Sequence, residues 1–254
     1  RLKLLQQLLA DDGAIFISID DNEFSNLKLL CNEIFGERLY KGCIVRSTGQ
    51  TTGQDSKGLG SSFDFVLVYA KSEEYIFGGL PLTEHDLKRF QEKDERGNYA
   101  YDQLRKTGSN DRRTDRPNMF YPIENPDGED LYPIGPTGYE SCWRVELSTY
   151  NRLVEENLIL WKKTTKQGKV IWWPYVKYYA EGRTKRPSPL WTDIEGNKKA
   201  SRDLKAILGN NTQFDYPKPL ELIQKIITIA NIQTGDIVLD SFAGSGTTAH
   251  AVLS

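Results

Sequence analysis

Histidine and cysteine are scarce in this chain, and long apolar runs are missing. His85 and His250 are the only histidines, which argues against a histidine-based metal site. Cys31, Cys43 and Cys142 are widely spaced and form no C-x-x-C, so neither a disulfide framework nor a zinc knuckle is expected. That pattern fits a reducing cytoplasm. No apolar run approaches membrane-spanning length and no signal peptide is visible, so no membrane partner is expected. A strongly basic balance is also missing, since the net charge is −2, which argues against a general nucleic-acid coat.

What is present is uneven. Between Leu160 and Lys205 twelve Lys/Arg face four acidic residues, a local excess of eight positive charges. All five tryptophans fall between Trp143 and Trp191. The ends, RLKLLQQLLA and TTAHAVLS, both read as helix interiors, so the chain is expected to be an internal piece of a longer protein, truncated at both ends. Its 254 residues suffice for one large domain or two modest ones.

The first 70 residues have α/β character. Leucines at 2, 4, 5, 8 and 9 give a helical face, and Ala14 to Ile19 is a continuous apolar run of the kind buried in a parallel sheet. Asp20 to Glu23 resembles a capping box before a helix carrying Phe24, Leu27, Leu30, Cys31 and Ile34, ended by Gly36. Strands are expected at 41–46 and 63–70, with a mobile Gly/Ser/Thr-rich loop over 48–62 between them. From 71 to 211 prolines, aromatics and charges give short elements, with helices over 149–157 and 199–208; this stretch reads as an inserted second domain. Regular α/β character resumes over 212–254, with a helix opened by Pro219 and a last strand over 237–239. Residues 1–70 and 212–254 are expected to share one mainly parallel sheet containing both 14–19 and 237–240.

The chemistry concentrates in IVLDSFAGSGTTAH, residues 237–250. A phosphate-binding P-loop needs Lys after its last glycine, where this turn has Thr247, so that reading fails. A dinucleotide-binding G-x-G-x-x-G/A is formally met by Gly244, Gly246 and Ala249, but its acidic ribose partner would fall beyond Ser254. The third reading is S-adenosylmethionine: two glycines admit close approach of the cofactor, and a helix start offers free N–H groups to its carboxylate. A tight turn with no ligand is the remaining alternative.

LDSFAGSGTTAHAV resembles the F-x-G-x-G cofactor motif of amino-group DNA methyltransferases, and FDYPKPLELIQKII resembles their T/Y-x-K-P cofactor motif. DDGAIFISIDDNEFSNLKLLCNEIFGE is similar to the post-catalytic segment of adenine-specific enzymes, and FDFVLVYAKS and GYESCWRV look like the modification subunits of type III restriction-modification systems. The order is that of the β-type arrangement: catalytic half, target recognition domain, cofactor half.

The resemblance implies an S-adenosylmethionine-dependent, Rossmann-like α/β core interrupted by a target recognition insert. It also implies methyl transfer to N6 of adenine in double-stranded DNA, and as partners a second copy and a restriction subunit. The family's Asp-Pro-Pro-Tyr motif occurs nowhere here, so the catalytic residues are expected upstream of Arg1 and the isolated piece is expected to be inactive. Asp240, Ser241, Phe242, Ala243, Gly244, Ser245, Gly246, Thr247 and Thr248 would cradle the cofactor. Phe214 to Pro219 would close over it, with Lys218 either a partner of its carboxylate or a solvated lysine. Asp20 and Asp21 resemble family residues near the pocket, but N-capping of the following helix is the preferred reading over a catalytic role. DNA contact is expected at Lys162, Lys163, Lys166, Lys169, Lys177, Arg183, Lys185 and Arg186, whose charges can neutralise phosphates; a charged surface over a tryptophan-rich core is the bland reading. A non-catalytic DNA-binding module is the main alternative function, and a nucleotide-dependent oxidoreductase a distant third.

Overall fold

The computed structural model describes residues 1–49, 59–209, 214 and 216–254, except residue 167 and the side chain of Lys166. Most of the 48–62 loop therefore lies outside the described residues. The chain forms two compact units, Arg1–Pro81 with Thr184–Ser254, and Leu82–Arg183.

The chain opens with α1 (Leu2–Leu8), β1 (Ala14–Ile19), α2 (Phe24–Phe35), β2 (Tyr40–Ser47), β3 (Phe63–Ala70) and β4 (Leu80–Pro81). The second unit holds α3 (Glu84–Leu87), β5 (Glu92–Asp94), β6 (Gly97–Gln103), β7 (Ile123–Glu124), β8 (Asp130–Leu131), α4 (Leu147–Glu155), β9 (Ile159–Lys166) and β10 (Lys169–Tyr179). The first unit then resumes with β11 (Thr184–Lys185), β12 (Leu190–Trp191), α5 (Asn197–Leu208), α6 (Leu220–Ile229) and α7 (Thr247–Leu253).

In the first unit the sheet order is β1-β3-β2-β12. Side chains alternate across it, and both faces are covered. Ile15, Ile17 and Ile19 join Leu67 and Tyr69 against α1 and α2, with Cys31 and Phe35 buried there. Phe16, Val66, Val68 and Ile44 face the other way, onto Trp191 and α6 residues Leu222, Ile226 and Ile229. Burial on both faces explains why β1 reads as an unbroken apolar run.

Three expectations need correction. The sheet is mainly antiparallel: β1 pairs antiparallel with β3, and β3 with β2, leaving only the two-residue β12 parallel to β2. The segment 237–240 is not a strand in this sheet. No described strand pairs with it. Ile237 is 90% exposed and Leu239 60%. The turn before α2 also differs from a capping box. Asp20 accepts a hydrogen bond from the Asn22 N–H at 3.1 Å, while Glu23, the N-cap, makes no side-chain cap bond.

In the second unit β5-β6-β10-β9 form an antiparallel sheet. One face carries Leu104, Val176, Ile159 and Trp161 into a core with Tyr121, Trp143 and Tyr150. The opposite face is tyrosine-rich: the register sets Gln103 beside Tyr175, Tyr101 beside Lys177 and Tyr99 beside Tyr179.

Candidate cofactor cradle and nucleic-acid surface

The glycine-rich turn is organised by its aspartate. Asp240 Oδ1 accepts from the Phe242 N–H at 3.0 Å, and Oδ2 accepts from Thr248 Oγ1 at 2.7 Å. The carboxylate thus joins the start of the turn to the first turn of α7. The Gly246 N–H closes onto the Ala243 carbonyl at 2.7 Å. Gly244 and Gly246 stand at φ +51° and +77°, the left-handed region that glycine enters without steric cost. A Cβ added at Gly246 would meet nothing within 4 Å, and one at Gly244 only the Phe242 carbonyl at 3.5 Å. The surface above both glycines is open backbone. Ser241, Phe242 and Ala243 are exposed, while Ser245, Thr247 and Thr248 are half-buried.

The second segment expected at the cofactor, 214–219, meets this turn. Thr247 Oγ1, which also lies 3.0 Å from Ser245 Oγ, donates to the Lys218 carbonyl at 3.4 Å. Pro217 and Pro219 are buried beside it, and Phe214 is exposed. The Lys218 ammonium bonds Asp64 Oδ2 at 3.0 Å. Asp64 is in turn held by a fork from Arg46, Nε to Oδ1 and Nη2 to Oδ2, both at 2.9 Å. Arg46 Nη2 also donates to Asn197 Oδ1 at 2.7 Å. The Arg46 side chain is 0% exposed and that of Asp64 9%. Sequence reading missed Arg46, Asp64 and Asn197. A charged residue next to the apolar run of each of two strands, Arg46 after Cys43-Ile44-Val45 and Asp64 before Phe65 to Val68, was the available signal.

The basic residues divide between the units. Lys162, Lys163, Lys169, Lys177 and Arg183 belong to the second, Lys185 and Arg186 to the first. Lys163 and Lys169 are exposed, with the Lys163 ammonium 4.9 Å from the centre of the Trp172 ring. Arg183 is exposed over Tyr178, and its Nε donates to the Tyr179 carbonyl at 3.2 Å. Lys162 and Lys177 are already engaged. Lys162 sits 3.7 Å from the Tyr101 ring centre and 3.6 Å from Glu92. Lys177 bonds Asp94 at 2.8 Å, which raises the lysine pKa and lowers that of the aspartate. Lys185 is half-buried in β11 and Arg186 is exposed. The Lys166 side chain lies outside the described residues.

Three of the tryptophans pack instead of presenting a surface: Trp143, Trp173 and Trp191 are at most 2% exposed. Burial pushes the Cys31 thiol up to about 11, which disfavours its thiolate form. Among the described residues no cluster of His, Cys, Asp and Glu could hold a metal ion, and no helix is long and apolar enough to cross a membrane.

Known proteins match this chain along its length. It is 33% identical over 276 residues to the EcoPI Mod subunit, a type III restriction-modification enzyme of Escherichia phage P1, which covers 99% of the chain and 41% of that protein. Against the StyLTI Mod subunit of Salmonella typhimurium the identity is 34% over 259 residues, covering 100% of the chain and 37% of the relative. The type II methyltransferase M.KpnI of Klebsiella pneumoniae is 35% identical over 266 residues, with 99% and 60% covered. The chain therefore spans about two fifths of the two Mod subunits and three fifths of M.KpnI. The family model described as DNA methylase matches residues 1–254, and with it the chain belongs to the DNA methylase family.

Proposed function

We propose that this chain supplies the cofactor cradle and the target-recognition unit of an S-adenosylmethionine-dependent methyltransferase acting on N6 of adenine in DNA, within a restriction-modification system. The observation that carries the reading is the open backbone over Gly244 and Gly246, folded by Asp240 and abutting Lys218, in a chain of the DNA methylase family. Residues 1–70 and 212–254 form part of a Rossmann-like methyltransferase core on this reading, and the 71–211 stretch, with Leu82–Arg183 at its centre, is the insert that contacts the duplex.

The residues present fit the cofactor. When bound it supplies an electrophilic methyl group. The glycines leave room for its methionine end, the first N–H groups of α7 and the Lys218 ammonium offer positive potential to its carboxylate, and Phe242, 66% exposed, offers an apolar wall. Lys163, Lys169 and Arg183 neutralise phosphates, which positions the duplex without reading its sequence. The target base must leave the stack to be reached, at a cost of a few kcal/mol. Double-stranded DNA, a restriction subunit and a second copy of the chain are the partners this reading assigns.

The test is to incubate the full gene product with duplex DNA and labelled cofactor, then digest the DNA and identify the modified nucleoside. N6-methyladenine is expected. Methylation of cytosine alone would overturn the assigned base, and duplex binding with neither cofactor binding nor methyl transfer would select a non-catalytic module.

A further inference from the structure

The buried charges beside the cradle form a connected group with an odd balance. Arg46 and Asp64 are directly opposite each other on β2 and β3, so their side chains share one face of the sheet. Their fork is dry. Taking such a pair out of water costs about as much as the attraction returns, so it is a poor stabilising device and apolar residues would do as well. The pair has other consequences. The Arg46 charge cancels that of Asp64, and Asp64 Oδ2 still accepts a second cation, Lys218, which leaves one uncompensated positive charge. That charge sits where the group meets solvent, because the Lys218 side chain is 37% exposed. An ammonium has three donors, and one is used on Asp64. Arg46 Nη1, also buried, has no hydrogen-bond partner among the described residues, so the group holds donors in excess of acceptors.

The backbone of Lys218 touches the glycine turn through Thr247. Asp64 therefore fixes one end of a short chain of contacts that runs from the sheet through the Lys218 side chain and main chain to the residue after Gly246. Among the described residues, the Lys218 ammonium bonds Asp64 alone.

We propose that Asp64 is a positioning residue of the cofactor site. Held by Arg46, which Asn197 anchors in turn, it sets the place of the Lys218 ammonium and so the electrostatic potential and spacing at the methionine end of S-adenosylmethionine. The proposal rests on the cofactor reading above and adds to it three residues on β2, β3 and α5 that carry no cofactor motif.

The experiment replaces the buried pair together, Arg46→Met with Asp64→Leu, in the full gene product, because removing either charge alone would strand the other. Cofactor affinity is measured by titration with labelled S-adenosylmethionine, DNA affinity by duplex titration, and folding by thermal melting. The proposal expects a melting temperature within a few degrees of wild type, unchanged DNA affinity and cofactor binding weakened about tenfold or more. It also expects Lys218→Gln to add nothing in that background, because Asp64 acts through Lys218. Unchanged cofactor affinity in the paired variant, or a full further loss on adding Lys218→Gln, overturns it.

Should the paired variant fail to fold, Lys218→Gln in the native background decides. A tenfold loss restored to within about threefold by Lys218→Arg supports the proposal, and no loss overturns it. Gly246→Val serves as the control for the underlying reading. If that variant binds cofactor like wild type, the cradle itself is misassigned, whichever way the Asp64 variants behave.

Discussion

Gly246 offers the sharpest separation of fold from function, because its conformation and its surroundings pull a substitution in different directions. At φ +77° and ψ +19° it caps α7 in the left-handed region. An L-residue there costs about 1–2 kcal/mol, and a β-branched one is a clear outlier. No atom lies within 4 Å of a Cβ at this position, so Val would meet no clash in the folded chain. The loss of stability in Gly246→Val is then the backbone strain alone, about 1–2 kcal/mol, or about 2–8 °C in melting temperature for a domain of this size. Gly246→Asn should lose less, because Asn tolerates the left-handed region. Yet both side chains enter the open space above the turn. Both variants should therefore lose cofactor binding by tenfold or more, a difference of at least about 1.4 kcal/mol, despite their unequal stabilities. The measurements are thermal melting and titration with labelled S-adenosylmethionine, with duplex binding as the control that should not move. A variant that melts lower but binds cofactor as tightly as wild type would show that a side chain at this position does not enter the space the cofactor needs.

Three further outcomes follow from the packing and charges. Reversing Lys163, Lys169 and Arg183 to Glu should weaken duplex binding and reduce its log-log salt slope by about 0.9 for each phosphate no longer neutralised, whereas Lys177→Gln, removing a cation already paired with Asp94, should change the slope little; equal slopes for all variants would contradict this placement. Leu222→Ala removes a fully buried α6 side chain from the core and should cost about 2–5 kcal/mol in denaturant unfolding, with less than about 1 kcal/mol refuting the packing described. The carboxyls of Asp193 and Glu221 are both held below their ordinary values, chiefly by hydrogen bonds from Lys225 and Lys199. A depressed folded-state pKa gives stability that is present above the unfolded value, about 4, and disappears as pH falls through the folded one, so melting temperature should drop with acid below that value. Lys199→Met with Lys225→Met should flatten the drop, and an unchanged pH profile would rule the two pairs out as its source.

Much of the fold was legible because its signals are local. The Ile15, Ile17 and Ile19 face, the helix from Phe24 and the stop at Gly36 each follow from spacing and backbone preference, and the structure has elements in these places. Strand direction was not legible in this way. An apolar run reports that both faces are covered but says nothing of whether its neighbours run parallel, and the antiparallel pairing of β1, β3 and β2 depends on connections that periodicity does not encode. The segment 237–239 failed as a strand for a related reason, because three apolar residues propose a strand but a partner must accept it. In the second unit, β9 and β10 were missed since WKKTTK reads as a charged surface; its alternation appears only once Trp161 is seen to face the core and Lys162 the tyrosines. The glycine turn was legible as a motif, but its connection to Asp64 was not, because residues 154 positions apart in sequence are joined only by the fold.

That contrast between local and distant control bears on how the cradle keeps its shape. The turn does not depend on strand pairing at 237–239: Asp240 bonds Phe242 and Thr248, and Gly246 bonds Ala243, all within nine residues of one another. Local bonds of this kind define the curvature of a turn but not its place relative to the rest of the domain. The contacts that place it come from afar, through Lys218 to Asp64 and from α6 through Gln224 to Ser254 at 2.9 Å. On the proposed reading the two sets of contacts therefore answer different demands at the same place, the methionine end of the cofactor, where backbone supplies room and a side chain supplies charge. On that reading glycine geometry decides whether the methionine end fits, and the buried ion pair decides where the positive charge stands. A motif search sees the first, because it is written in consecutive residues. The second is written in an Arg and an Asp that, taken alone, look like charged residues next to two apolar runs.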